Sequence, residues 1–141
     1  MSSSSSFLSK YGLSLISLIV AVTALTYNTW RNELTESNRN VRASGFEILR
    51  EVAYLQLLVD QAFYAPEQVK TDPIVGWTKV NFIQSLTYVM PKNVQVAATD
   101  LKIIWQENWE HIDERKRANE VITAANKELE QAVLKSLRNL N

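Results

Sequence analysis

His111 is the single histidine of the chain and the first residue to test for catalysis or metal binding, with Glu107, Glu110, Asp113 and Glu114 close by in sequence. Glu107 stands four residues before it, a spacing that on a helix gives a surface ion pair. A di-iron bundle needs Glu-x-x-His in pairs, and the residue three before His111 is Asn108. Zinc-protease spacing needs a second histidine. The absence of cysteine excludes disulfides, thiolate nucleophiles and cysteine metal sites without identifying a compartment. Gly12, Gly45 and Gly76 each stand alone, so no loop can bring backbone amides against a phosphate. No serine sits in a nucleophile-elbow context. The chain is therefore read as a non-enzyme, with no cofactor and no metal.

Residues that recognise a partner are the remaining candidates. Trp77, Trp105 and Trp109 are large aromatics at helical spacing, which suits a core. Trp105 and Trp109 cannot both lie deep on a face shared with Asn108 and Ile112, so the one left partly exposed is a candidate partner contact. Arg115-Lys116-Arg117 is a short basic cluster, either a solvated turn or a docking point for an acidic partner. The 15 basic and 15 acidic side chains balance, and no clustered basic excess points to nucleic acid.

These residues need elements to hold them, and the most decisive one comes first in the chain. Between Lys10 and Arg31 run twenty uncharged residues, 11–30. As a helix they would cover roughly 30 Å, the thickness of a bilayer's hydrocarbon core. Tyr11 at one end and Tyr27 and Trp30 at the other suit the membrane–water boundary. A cleaved signal peptide is the competing reading, with Val22-Thr23-Ala24 as the cut, but the uncharged run continues past it to Trp30. We read a retained transmembrane helix, whose Ser14, Ser17, Thr23 and Thr26 hydroxyls can bond back to helix carbonyls.

Residues 1–10 are expected to be a disordered tail, since the serine tract from Met1 to Ser6 has almost nothing to bury. A short tail with one lysine before an uncleaved apolar helix has the form of a bacterial signal anchor, which would put the following domain in the periplasm of an inner-membrane protein. Arg31, Arg39 and Arg42 on the far side argue for the opposite orientation by the positive-inside rule.

A polar stalk, 31–44, is expected to continue the membrane helix. Val41, Gly45, Ile48, Val52, Leu55, Val59 and Ala62 then follow alternating four- and three-residue steps, a coiled-coil-like packing seam. Phe46, Leu49, Ala53, Leu57 and Leu58 widen it, so this helix is expected to be covered from more than one side. Gly45 would admit another helix, with Trp77, Trp105 or Phe82 filling the space. Pro66 stops the first helix, a loop runs to Pro73, and Asp72-Pro73 has the form of a helix start. The second helix should run to about Met90 with Ile74, Trp77, Val80 and Ile83 inward. A third starts near Asn93, and Asp113 caps a fourth that buries Ala118, Ile122, Ala125, Leu129 and Val133. The absence of glycine and proline after Pro91 leaves one helix over 93–140 as the alternative.

The expected fold is thus all-α: one N-terminal transmembrane helix continuing into a small antiparallel bundle of about four helices over 31–141. The expected function is that of a single-pass membrane protein acting by interaction, as a scaffold, accessory subunit or adaptor whose partners are the lipid bilayer and another protein or a second copy. The alternative is a ligand-sensing bundle. With neither a second membrane helix nor a signalling module before Asn141, a sensor would have to signal through a partner.

Overall fold

A computed structural model describes residues 4–65 and 72–140, with side chains from Tyr11 onward. The described residues are helical and contain no strand. They form α1 (Ser4–Tyr64), α2 (Pro73–Leu86), α3 (Lys92–Asn108) and α4 (Lys116–Arg138), with short 3-10 turns at Thr87–Val89 and Trp109–His111. The chain divides into two compact units, Met1–Ser37 and Asn38–Asn141.

Helix α1 has 61 residues and no proline. It begins at Ser4, so residues 4–10, expected as a disordered tail, are helical. Lengthening an existing helix requires no new nucleus, which lets even a serine tract join it. The first three residues of that tail lie outside the described residues. So does 66–71, and with it the expected stop at Pro66; α1 ends at Tyr64, two residues earlier.

In the second unit, all seven residues of the seam from Val41 to Ala62 are buried. Widening of the seam is where the expectation fails. Leu49 and Leu58 are half-buried, but Phe46, Ala53 and Leu57 are exposed. The seam turns toward the other helices, and among the described residues nothing covers the opposite side of α1.

Asp72 caps α2 as its sequence implies, accepting a hydrogen bond from the Ile74 amide at 2.9 Å, with Pro73 in the first turn. Ile74, expected inward, is exposed, while Val80 and Ile83 are buried. The helix closes at Leu86 rather than near Met90. Pro91 disfavours helical backbone in the residue before it, and Met90 is extended, with φ −87° and ψ 157°. Pro91 is the cap residue before α3, its carbonyl accepting from the amides of Val94 and Gln95.

α3 and α4 are two helices, not one. The 3-10 turn at Trp109–His111 leads into a turn held by the Arg115 amide on the His111 carbonyl at 2.9 Å. Arg115, not Asp113, is therefore the first extended residue before α4, and it makes no side-chain cap bond. Val94, Ala98, Leu101 and Trp105 of α3, and Ala118, Ile122, Ala125, Leu129 and Val133 of α4, are all buried as their spacing predicts.

The contacts also show which helices meet and in what order. On α1 and α4, Gly45 meets Leu137, Gln56 meets Asn126 and Thr123, and Val59 meets Asn119. Numbers rise along one helix as they fall along the other. On α2 and α3, Gly76 meets Trp105 and Gln84 meets Thr99, again in opposite order.

Gly45 thus faces Leu137 rather than any of the expected aromatics, and Trp105 lies instead against Gly76. A Cβ on Gly76 would run into the six-membered ring of Trp105, whereas one on Gly45 would meet only the tip of the Leu137 side chain, 2.8 Å from Cδ2. A buried indole cannot yield as a half-buried leucine can. Gly76→Ala should therefore cost about 1–3 kcal/mol through overpacking. Gly45→Ala should fall within about 1 kcal/mol of the parent, because alanine's helix preference offsets a small shift of Leu137. Denaturant unfolding of the two variants would show it, and equal losses would contradict this packing.

Candidate functional site

In the first unit, α1 offers no apolar stripe but an apolar surface on every side. Leu13, Leu15, Ile16, Leu18, Ile19, Val20, Val22 and Leu25 are all exposed. A helix segment apolar all round suits hydrocarbon rather than water. The helix is long and apolar enough to cross a membrane. Three of the four hydroxyls expected to bond back, those of Ser17, Thr23 and Thr26, meet the further condition that hydrocarbon imposes, that polar groups find partners within the segment. Ser14 makes no such bond among the described residues. Ser17 donates to the Leu13 carbonyl at 2.9 Å, Thr23 to Ile19 at 2.8 Å, and Thr26 to Val22 at 2.8 Å. Tyr27 and Trp30 lie with ring centres 6.3 Å apart, and both are exposed, as is Tyr11.

The tryptophans of the second unit gather around Trp77. Its ring meets Trp105 edge-on at 6.5 Å and Trp109 at 6.4 Å. Trp105 is 1% exposed, packed over Gly76 with its indole nitrogen unpartnered. It is a core residue and is withdrawn as a candidate partner contact. Depth distinguishes it from Trp109, which is half-buried, because α3 ends at Asn108 and the 3-10 turn carries Trp109 away from the core line.

Arg115, Lys116 and Arg117 are exposed where α4 begins. Lys116 reaches Glu120 at 3.5 Å, an exposed i,i+4 pair of small energetic weight. His111 is half-buried in the 3-10 turn, and among the described residues no ion pair joins it to Glu107. The tighter winding of that turn takes His111 off the i,i+4 line of α3. Among the described residues, no group of three or more histidine and acidic side chains is placed to hold a metal ion.

Two further features are not evident from hydrophobic spacing. The first is the uncovered side of α1, where Phe46 is 65% and Tyr64 73% exposed, with Ala53 and Leu57 between them on the same helical face. The second is a set of buried polar side chains. Glu51 is buried and bonded to Lys79 at 2.6 Å, and Lys79 also lies 4.9 Å from the centre of the Tyr54 ring. Asn119 and Asn126 are buried on α4, one heptad apart, and meet Gln56 and Asp60 of α1. That heptad spacing of asparagines beside an apolar seam was the available signal.

Comparison with protein-family models, curated proteins and solved structures gives no match to this chain.

The two tryptophans should separate in a denaturation experiment. Trp105→Ala removes a buried indole and should cost about 3–5 kcal/mol. Trp109→Ala should cost less than half as much, because water already reaches that ring. A larger loss for Trp109→Ala would reverse the assignment of depth.

Proposed function

We propose that this chain is a single-pass membrane protein whose antiparallel helical bundle works by interaction, as a scaffold, accessory subunit or adaptor of a membrane assembly. The observation that carries the reading is the apolar surface of residues 11–30, exposed on every side with the hydroxyls of Ser17, Thr23 and Thr26 bonded back to the helix. In water that surface would be unfavourable by about 25 cal/mol per Å². In a bilayer it is solvated, with Tyr11 at one boundary and Tyr27 and Trp30 at the other.

The helix is retained as a signal anchor of a bacterial inner membrane, with the bundle in the periplasm. Lys10 directly before the uncharged run has the form of a signal anchor's basic flank; the arginines beyond Trp30 oppose this side. In a bacterial host, the full chain should remain in carbonate-washed membranes, and alkaline phosphatase fused after Asn141 should be active. Leu18→Arg, a charge near the middle of the apolar run, should shift the protein toward the soluble fraction at a cost of about 2.5–3.5 kcal/mol. An inactive fusion would place the bundle in the cytoplasm, and a parent chain released by carbonate would remove the anchor.

The interaction surface is the uncovered face of α1, formed by Phe46, Ala53, Leu57 and Tyr64. Its 7-4-7 spacing is that of a stripe able to pack on a helix, and apolar stripes left open by a chain mark contact sites. Its partner is a helix of another membrane protein. Trp109 and the Arg115-Lys116-Arg117 cluster are secondary contacts. A photo-crosslinking amino acid at position 46 or 57 should join the chain to one discrete membrane protein in intact cells, while the same probe at the exposed Glu128 should not. Equal yields at all three positions would remove this face as the contact surface.

A further inference from the structure

Lys79 is the only charged residue between Asp72 and Lys92, and α2 turns it inward. Its ammonium meets the buried Glu51 carboxylate at 2.6 Å and lies over the Tyr54 ring. None of the exposed residues from Pro73 to Pro91 therefore carries a charge. Beyond Pro73, those on α2 are Ile74, Val75, Thr78, Asn81, Phe82 and Ser85. Val75, Thr78, Phe82 and Ser85 follow three-four-three steps, the spacing of a face that packs on another helix.

The hydroxyls of this face are already bonded. Thr78 donates to the Ile74 carbonyl at 2.8 Å, and Ser85 to the Asn81 carbonyl at 3.1 Å. Ile74 is 73% and Phe82 42% exposed. What the face offers is apolar surface with one side-chain amide, that of Asn81.

A face without charge meets the condition for self-association. Two copies that point the same way in one bilayer are related by a two-fold axis along the membrane normal, and near that axis a residue meets its own equivalent. Any charge there would face a like charge, at a cost of several-fold or more in affinity. The other helices of the bundle fail this condition. Arg50 stands beside Phe46 and Ala53 on the open face of α1, Lys92 and Asp100 are exposed on α3, and Lys127 and Glu128 on α4. Among the described residues of the bundle, α2 alone presents a face that can meet itself without opposing like charges.

We propose that two copies of this chain pair through the outer face of α2, with Phe82 against the second copy's Phe82. An amide carries both donor and acceptor, so Asn81 can bond the second copy's Asn81 and leave neither unpaired. The pairing rests on the membrane reading above, because a shared bilayer is what gives the copies one direction. It also holds them close. α2 has 14 residues and is about 21 Å long, short of the roughly 800 Å² per copy that a stable dimer in solution buries, and anchoring raises the effective concentration that offsets the difference. The face shares no residue with the α1 stripe assigned to another protein.

The chain has no cysteine, so a single introduced one reports contact without background. In bacterial membranes containing the full chain, mild oxidation should link copies of Phe82→Cys, and copies of Thr78→Cys, into disulfide dimers. Glu128→Cys, on α4, should stay monomeric. Thr78→Glu or Thr78→Lys alone should cut the copurification of two differently tagged copies about ten-fold or more, and co-expressing Thr78→Glu with Thr78→Lys should restore it. Such recovery arises only where position 78 meets itself. Thr78 is exposed, so its variants decide the matter even if Phe82→Cys disturbs the helix. No disulfide at either position, in a parent chain that carbonate leaves in the membrane, would overturn the pairing and keep the anchor. Release of the parent by carbonate would remove both. Equal linking at Glu128→Cys would mean random collision, and a disulfide-independent crosslink from position 82 to a different protein alone would give the face to that protein; each overturns the proposal.

Discussion

A helix buries one face against its neighbours, and the α1 residues of the second unit carry more apolar surface than one face can hold. Val41, Ile48, Val52, Leu55, Val59 and Ala62 form a line that belongs to one buried cluster with apolar residues of α2, α3 and α4. Each fully buried aliphatic side chain in that line contributes roughly 1.5–3 kcal/mol, so the line decides how the other helices assemble. Once it is turned inward, Phe46, Ala53, Leu57 and Tyr64 are left outside. The open face of α1 is a geometric consequence of the same packing that makes the core.

Buried polar groups set the remaining detail. Asn119 and Asn126 interrupt an otherwise apolar side of α4 and meet Gln56 and Asp60 across the helix contact. Such groups add little net stability and fix register, because a slip by one turn would leave several of them unpaired. Glu51 with Lys79 plays the corresponding part between α1 and α2. The acceptor left over on Asn126 follows from the acceptor-only chemistry of Asp60 at the other end of the chain of bonds.

Much of this was legible along the sequence. The seam of α1 could be read residue by residue because a 3.6-residue period in apolar side chains is written directly into the chain. The start of α2 was legible for the same reason, since Asp72 and Pro73 act within one turn. The uncharged run 11–30 announced itself by length. Other boundaries moved by a few residues under local steric rules: Pro91 shortened α2, and the 3-10 turn after Asn108 delayed α4 past Asp113. Among the candidate contacts, spacing put Trp105 and Trp109 on one face but could not give their depths.

What the sequence determined by itself, then, is what each segment wants locally: a helix here, an apolar face there, a stretch that avoids water on all sides. Those preferences depend on residues within about one turn of each other. Only the tertiary structure decided which surfaces meet. Gly45 and Gly76 both invite a close neighbour, and nothing near either says that one receives Leu137 and the other Trp105. That assignment depends on the register of whole helices, which is fixed by the summed packing of the core and by buried amides that must all find partners at once.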